Sequence, residues 1–103
     1  MIRHIVLIRF PLEMSELEIS DIFSALPKLL GRLPGVLAFA SGRSESPEKI
    51  ERGFMHCFTI DFSSWAALAH YAPDPEHQAF GRELVDHAAG GINGILVFDM
   101  EVK

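Results

Sequence analysis

Tyr71 and His77 are the residues in this chain with the clearest chemical potential. They bracket the segment Tyr-Ala-Pro-Asp-Pro-Glu-His. The segment reads as the end of one helix, a proline-broken turn and the first turn of another. Asp74 suits an N-cap and Pro75 the first helical position. His77 then falls third in its helix, near the positive end of the helix dipole. That position disfavours imidazolium and keeps the ring neutral. A neutral imidazole is a general base, and a phenol nearby can hold a developing oxyanion. The pair is suited to removing a proton beside a carbonyl.

Two further histidines lie on strand-like segments. His4 shares parity with Val6, Ile8 and Phe10 in the run Ile2 to Phe10. His56 shares parity with Phe54, Phe58, Ile60 and Phe62. These bulky faces are assigned to the core side, because alternate residues of a strand face opposite ways. His77 lies on one helical face with Phe80 and Leu84 and points inward too. A single inward histidine is ordinarily a hydrogen-bonded core residue, and a lone buried tyrosine a core aromatic. His4, His56, His77 and Tyr71 converging on one apolar layer are more simply explained by a shared pocket lined by Phe80.

No metal is expected there: His-x-His and His-Glu-x-x-His spacings are absent. His70 is expected to face solvent, and His87 suits a last helical turn as a cation. Cys57, the one cysteine, falls on the parity opposite His56. That disfavours a Cys–His nucleophile and leaves no disulfide framework.

The elements that carry these residues follow from periodicity. Ile2–Phe10 is a strand ended by Pro11. Ser15 and Glu18 form a capping-box signature before Ile19, Ile22, Phe23, Leu26, Leu29 and Leu30 at helical spacing. Pro27 should kink or split that helix, and Gly31 stop it. A strand over 36–43, a polar loop over 44–52 and a strand over 53–62 come next. Ser63 or Ser64 caps a short helix with Trp65, Leu68 and Tyr71. The helix from about Pro75 to about His87 ends at Gly90-Gly91, and 92–102 is a last strand. The order β-α-β-β-α-α-β over residues 1–103 predicts one α+β domain. It is a ferredoxin-like protomer with a four-stranded antiparallel sheet and helices on one face.

Apolar residues are 49% of the 103, high for a domain of this size. The second sheet face carries Ile5, Leu7, Met55 and Cys57, too apolar for water. A homodimer that closes the two sheets into an α/β barrel is therefore expected. A net charge of −5 without a basic cluster argues against nucleic-acid and anionic-membrane partners. No apolar run approaches a membrane span, and Arg3, His4 and Arg9 interrupt any signal-like N-terminal stretch, so a cytoplasmic location is expected.

The opening Ile-Arg-His-Ile-Val-Leu-Ile-Arg-Phe, the central Gly53-Phe54-Met55-His56 and the stretch Tyr71 to Phe80 together resemble the stress-responsive dimeric α/β-barrel (Dabb) family over essentially the whole chain. The resemblance implies a homodimer of ferredoxin-like protomers. Plant polyketide cyclases of that family close poly-β-keto chains by aldol condensation. By that resemblance His77 and Tyr71 are catalytic, and His4, His56 and Phe80 meet substrate, with no metal or organic cofactor. The substrate expected is a small apolar carbonyl compound, and the reaction a lyase, cyclase or isomerase type. The alternatives are a non-catalytic, stress-responsive dimer that binds a small ligand, and a cofactor-free monooxygenase.

Overall fold

A computed structural model describes residues 1–103. Four strands form one antiparallel sheet: β1 (Ile2–Ile8), β2 (Val36–Arg43), β3 (His56–Phe62) and β4 (Ile95–Glu101), in the order β2-β3-β1-β4. Helices α1 (Glu16–Phe23), α2 (Ala25–Leu30), α3 (Trp65–Tyr71) and α4 (Pro75–His87) cover one face. This is the ferredoxin-like arrangement read from the sequence.

The strand alternation holds. Ile2, His4, Val6 and Ile8 of β1 and His56, Phe58, Ile60 and Phe62 of β3 are buried beneath the helices. Ile19, Ile22 and Phe23 from α1, Leu26, Leu29 and Leu30 from α2, and Phe80 and Leu84 from α4 complete a single apolar core. Burying each such side chain contributes about 1.5–3 kcal/mol. The opposite face has no cover within the chain. Leu96, Phe98 and Met100 of the edge strand β4 are 49%, 61% and 39% exposed there. Ile5, Leu7 and Cys57 beside them are half-buried.

The long first helix is split, and the break falls at Ser24 rather than at the proline. Pro27 then sits in the first turn of α2, where a backbone N–H has no intrahelical partner to lose. Strand β3 starts at His56, later than the parity suggested. Gly53 has φ of 88° and its carbonyl accepts from the Met55 amide at 3.0 Å, so Gly53–Met55 is a turn. Phe54 leaves the strand face and stacks under the Arg9 guanidinium, 5.2 Å from the ring centre. Strand β1 likewise ends at Ile8. The Arg9 amide donates to the Gly94 carbonyl and the Arg9 carbonyl accepts from Ala89. A 3-10 turn at Gly91–Gly94 delays β4 until Ile95.

Candidate active site

The turn between α3 and α4 is built as its residue types demand. The Asp74 carboxylate accepts from the amides of Glu76 and His77 at 3.1 and 3.0 Å, and Pro75 opens the helix. Arg32, from the segment after α2, pairs with Asp74 and Glu76, both at 3.1 Å. The His77 amide and the neighbouring Arg32 together hold the Asp74 carboxyl below its usual range. These contacts set the start of α4 and hence the position of His77.

The His77 Nδ1–H donates to the Ala72 carbonyl at 3.0 Å. A carbonyl can only accept, so this bond assigns the proton to Nδ1 and leaves Nε2 with a free lone pair. Burial is the main cause that lowers the imidazole below its ordinary pKa, and the nearby His4 adds to it. The carbonyls of Ala72 and Tyr71 and the Asp74 charge pull the other way. Desolvation thus favours the neutral imidazole expected from the sequence.

Tyr71 lies beneath His77, the two ring centres 3.9 Å apart. It is almost fully buried, and its hydroxyl has neither solvent contact nor a hydrogen-bond partner in the protein. Such an orphan hydroxyl costs about 1–3 kcal/mol. Burial, helped by the Asp74 charge, pushes the phenol well above its ordinary pKa and keeps it a proton donor. His4 meets the Tyr71 ring edge-on at 5.6 Å. The His4 Nδ1 lies 2.6 Å from the Asp99 carboxylate on β4, its antiparallel neighbour. A carboxylate on Nδ1 orients the ring and leaves Nε2 as its free nitrogen.

His4, Tyr71, His77 and Phe80 line one cavity of about 670 Å³ between α4 and the β1–β4 edge. Val6, Phe58, Leu84, Ile95 and Val97 make its walls mostly apolar. Arg82, Asp86 and Gln78 supply polar groups among the lining residues. A volume of this size suits a small organic ligand.

One expected member is elsewhere. His56 faces the same layer but lies at the other end of β3, opposite Ile8, whereas His4 lies opposite Ile60. Phe58 stands between them in the strand and His56 does not line the His77 cavity. Its Nε2–H donates to the Glu16 carboxylate at 2.8 and 3.0 Å. Face parity placed it in the correct layer, but only strand register shows how far along that layer it sits. Sequence reasoning also missed both carboxylate partners. Asp99 carried a signal, as an acid that shares the helix-facing parity of β4 with Ile95 and Val97. Glu16 reaches His56 across 40 positions from the start of α1, and no local pattern marks that. His70 and His87 are exposed, and the His87 Nδ1–H donates to the Glu83 carbonyl at 2.9 Å. No cluster of three His, Cys, Asp or Glu side chains suited to a metal ion occurs. No helix is long and apolar enough to cross a membrane.

Comparison with known proteins agrees with this fold. Residues 2–102 match the family described as Stress responsive A/B Barrel Domain, Dabb, and the chain belongs to that family. A dimeric ferredoxin-like protein of unknown function from Jannaschia sp. CCS1 is 33% identical, with a TM-score of 0.88 and 98% of each chain covered. The hydroxynitrile lyase of Passiflora edulis superimposes with a TM-score of 0.83 at 23% identity, covering 99% of this chain and 93% of that one. Olivetolic acid cyclase of Cannabis sativa is 22% identical over 80 residues, 78% of this chain and 79% of that protein.

Proposed function

We propose that this Dabb-domain chain is a cofactor-independent enzyme of the lyase, cyclase or isomerase type, acting on a small apolar carbonyl compound. The observation that carries the reading is the His77 hydrogen bond. It fixes the proton on Nδ1 and leaves a basic Nε2 on a ring that lines an apolar cavity.

In this reading Nε2 removes a proton from the carbon beside a carbonyl, or from the hydroxyl of a carbonyl adduct. The Tyr71 hydroxyl donates to the oxygen on which charge develops. Its raised pKa keeps that proton available. The His4–Asp99 pair holds the polar end of the substrate, and Phe80 and the apolar walls exclude water. The similarity to a cyclase and to a hydroxynitrile lyase supports a small-molecule reaction of this kind. Both kinds of chemistry are within reach of a positioned base and a phenol.

The functional unit in this proposal is a homodimer. The uncovered Leu96, Phe98 and Met100 face is the surface a second copy would bury, and relatives of this fold are dimeric. The His77 cavity lies on the opposite side of the sheet, so each protomer has its own.

One observation favours a second reading, a dimer that binds a small apolar ligand without turning it over. The Tyr71 hydroxyl is buried away from solvent, so a ligand reaches it only if the wall around it moves. A panel of β-diketones, β-keto thioesters and cyanohydrins, followed by product formation, separates the readings. Turnover by the wild type that disappears in His77→Ala and falls in Tyr71→Phe supports the enzyme. Saturable binding without turnover by any member supports the binding dimer, and equal turnover by wild type and His77→Ala removes His77 as the base.

A further inference from the structure

Arg32 does not line the His77 cavity. It lies in the turn after α2, where its amide donates to the Leu29 carbonyl at 3.3 Å and its neighbour Leu33 packs on the core. From that anchored position Nη2 reaches the start of α4, 3.1 Å from the Asp74 carboxylate and 3.1 Å from that of Glu76. No other cation pairs with either acid.

Three features set this contact apart from an ordinary surface ion pair. The Asp74 side chain is only 11% exposed, so solvent screens the pair less than it would on an open surface. One guanidinium serves two carboxylates that would otherwise repel each other. The third feature is what Asp74 does to the backbone. In an unbroken helix the Glu76 amide would donate to the Ala72 carbonyl, four residues back. Here the Asp74 carboxylate takes that amide at 3.1 Å, and the Ala72 carbonyl accepts no backbone N–H. The freed carbonyl is the one that accepts the His77 Nδ1–H at 3.0 Å. The placement of the Asp74 carboxylate thus decides whether that acceptor is available to the His77 ring.

We propose that Arg32 is a positioning residue of the His77 site. From the end of α2 it holds the Asp74 carboxylate where it claims the Glu76 amide. That keeps the His77 proton on Nδ1 and the lone pair on Nε2. Its effect on catalysis rests on the reading of His77 as the base, whereas its effect on the tautomer does not. All of its side-chain contacts come from a single nitrogen, so a lysine ammonium can replace it and an uncharged side chain cannot.

Ring-nitrogen NMR shifts of His77, recorded where the imidazole is neutral, report the tautomer directly. The wild type should show a protonated Nδ1 and an unprotonated Nε2. Arg32→Met keeps an apolar stem and removes the charge. It should lower the ratio of Nδ1–H to Nε2–H forms about fivefold, the upper end of what an exposed ion pair is worth. Arg32→Lys should restore the wild-type shifts. Deuterium exchange of acetophenone should fall by a similar factor in kcat for Arg32→Met, with KM within about twofold of the wild type. An unchanged tautomer in Arg32→Met overturns the proposal, as does an equal loss in Arg32→Lys. A wild type in the Nε2–H form overturns both this role and the base. A wild type in the Nδ1–H form that catalyses no exchange, with the tautomer lost in Arg32→Met, removes the base and leaves the positioning role of Arg32 standing.

Discussion

The two ends of the layer beneath the helices contain the same pairing and differ in what surrounds it. At each end an inward strand histidine meets a carboxylate, His4 with Asp99 and His56 with Glu16. At the His4 end, a second histidine at a helix start turns a free Nε2 on a ring that lines a large apolar cavity, with a phenol against it. At the His56 end no tyrosine or second histidine is present, the cavity is smaller, about 370 Å³, and an arginine lies beside it. A buried histidine paired with a more exposed carboxylate is therefore common to both ends and does not by itself indicate catalysis. The base with an assigned proton, on a ring that lines a mostly apolar cavity, distinguishes the first end.

The comparison is broken most directly by removing one histidine from each end. His77→Ala should cost about 10²–10⁴ in kcat/KM, the usual worth of a positioned general base. His56→Gln should change it by less than about threefold if His56 serves a separate site. Similar losses in the two variants would show that the cavities act as one.

Tyr71→Phe sharpens the contrast between function and stability. Activity should fall by about 10²-fold if the hydroxyl serves a developing oxyanion. Stability should be unchanged or rise by about 1 kcal/mol, because the change removes a buried hydroxyl that has no partner. Denaturant melts and rate measurements on the same preparation check both.

The pH dependence should come from the His77 end. A base acts only when unprotonated, and burial lowers the His77 pKa below the ordinary value of 6.5. Activity should therefore persist under mildly acidic conditions and fall along a limb whose midpoint lies below 6.5. The same shift makes the unfolded chain bind the proton first. Stability should decline as pH drops from about 6.5 toward the folded value. In Asp99→Asn the rate should fall, since Asp99 orients the His4 ring.

The smallest effect belongs to Glu16→Gln. The Glu16 side chain is 58% exposed, so its pair with His56 should contribute less than about 1 kcal/mol in thermal or urea unfolding. A larger loss would mean that this pair carries the α1 end of the fold.

Much of this arrangement was legible in the sequence for local reasons. Parity alone turns His4 and His56 inward, and Asp74-Pro75 sets the start of α4 and the inward face of His77 and Phe80. These features depend on neighbouring residues, and neighbours are what a sequence displays. What it hid depends on register and distance. Asp99 meets His4 only because β4 pairs with β1 in one particular alignment. His56 parts from His4 because they lie opposite different residues of the neighbouring strand. Glu16 finds His56 through the packing of α1 over β3. The split at Ser24 and the turn at Gly53–Met55 reflect backbone geometry that apolar spacing does not encode.

The central claim is that Nε2 of His77 is a base acting in an apolar cavity. Exchange of the methyl protons of acetophenone for deuterium, followed by NMR in D2O across a pH series, addresses it without knowledge of the natural substrate. The account predicts exchange above the buffer rate, an acid limb below pH 6.5, loss in His77→Ala and retention in Arg43→Ala. Exchange that is the same in wild type and His77→Ala would contradict it.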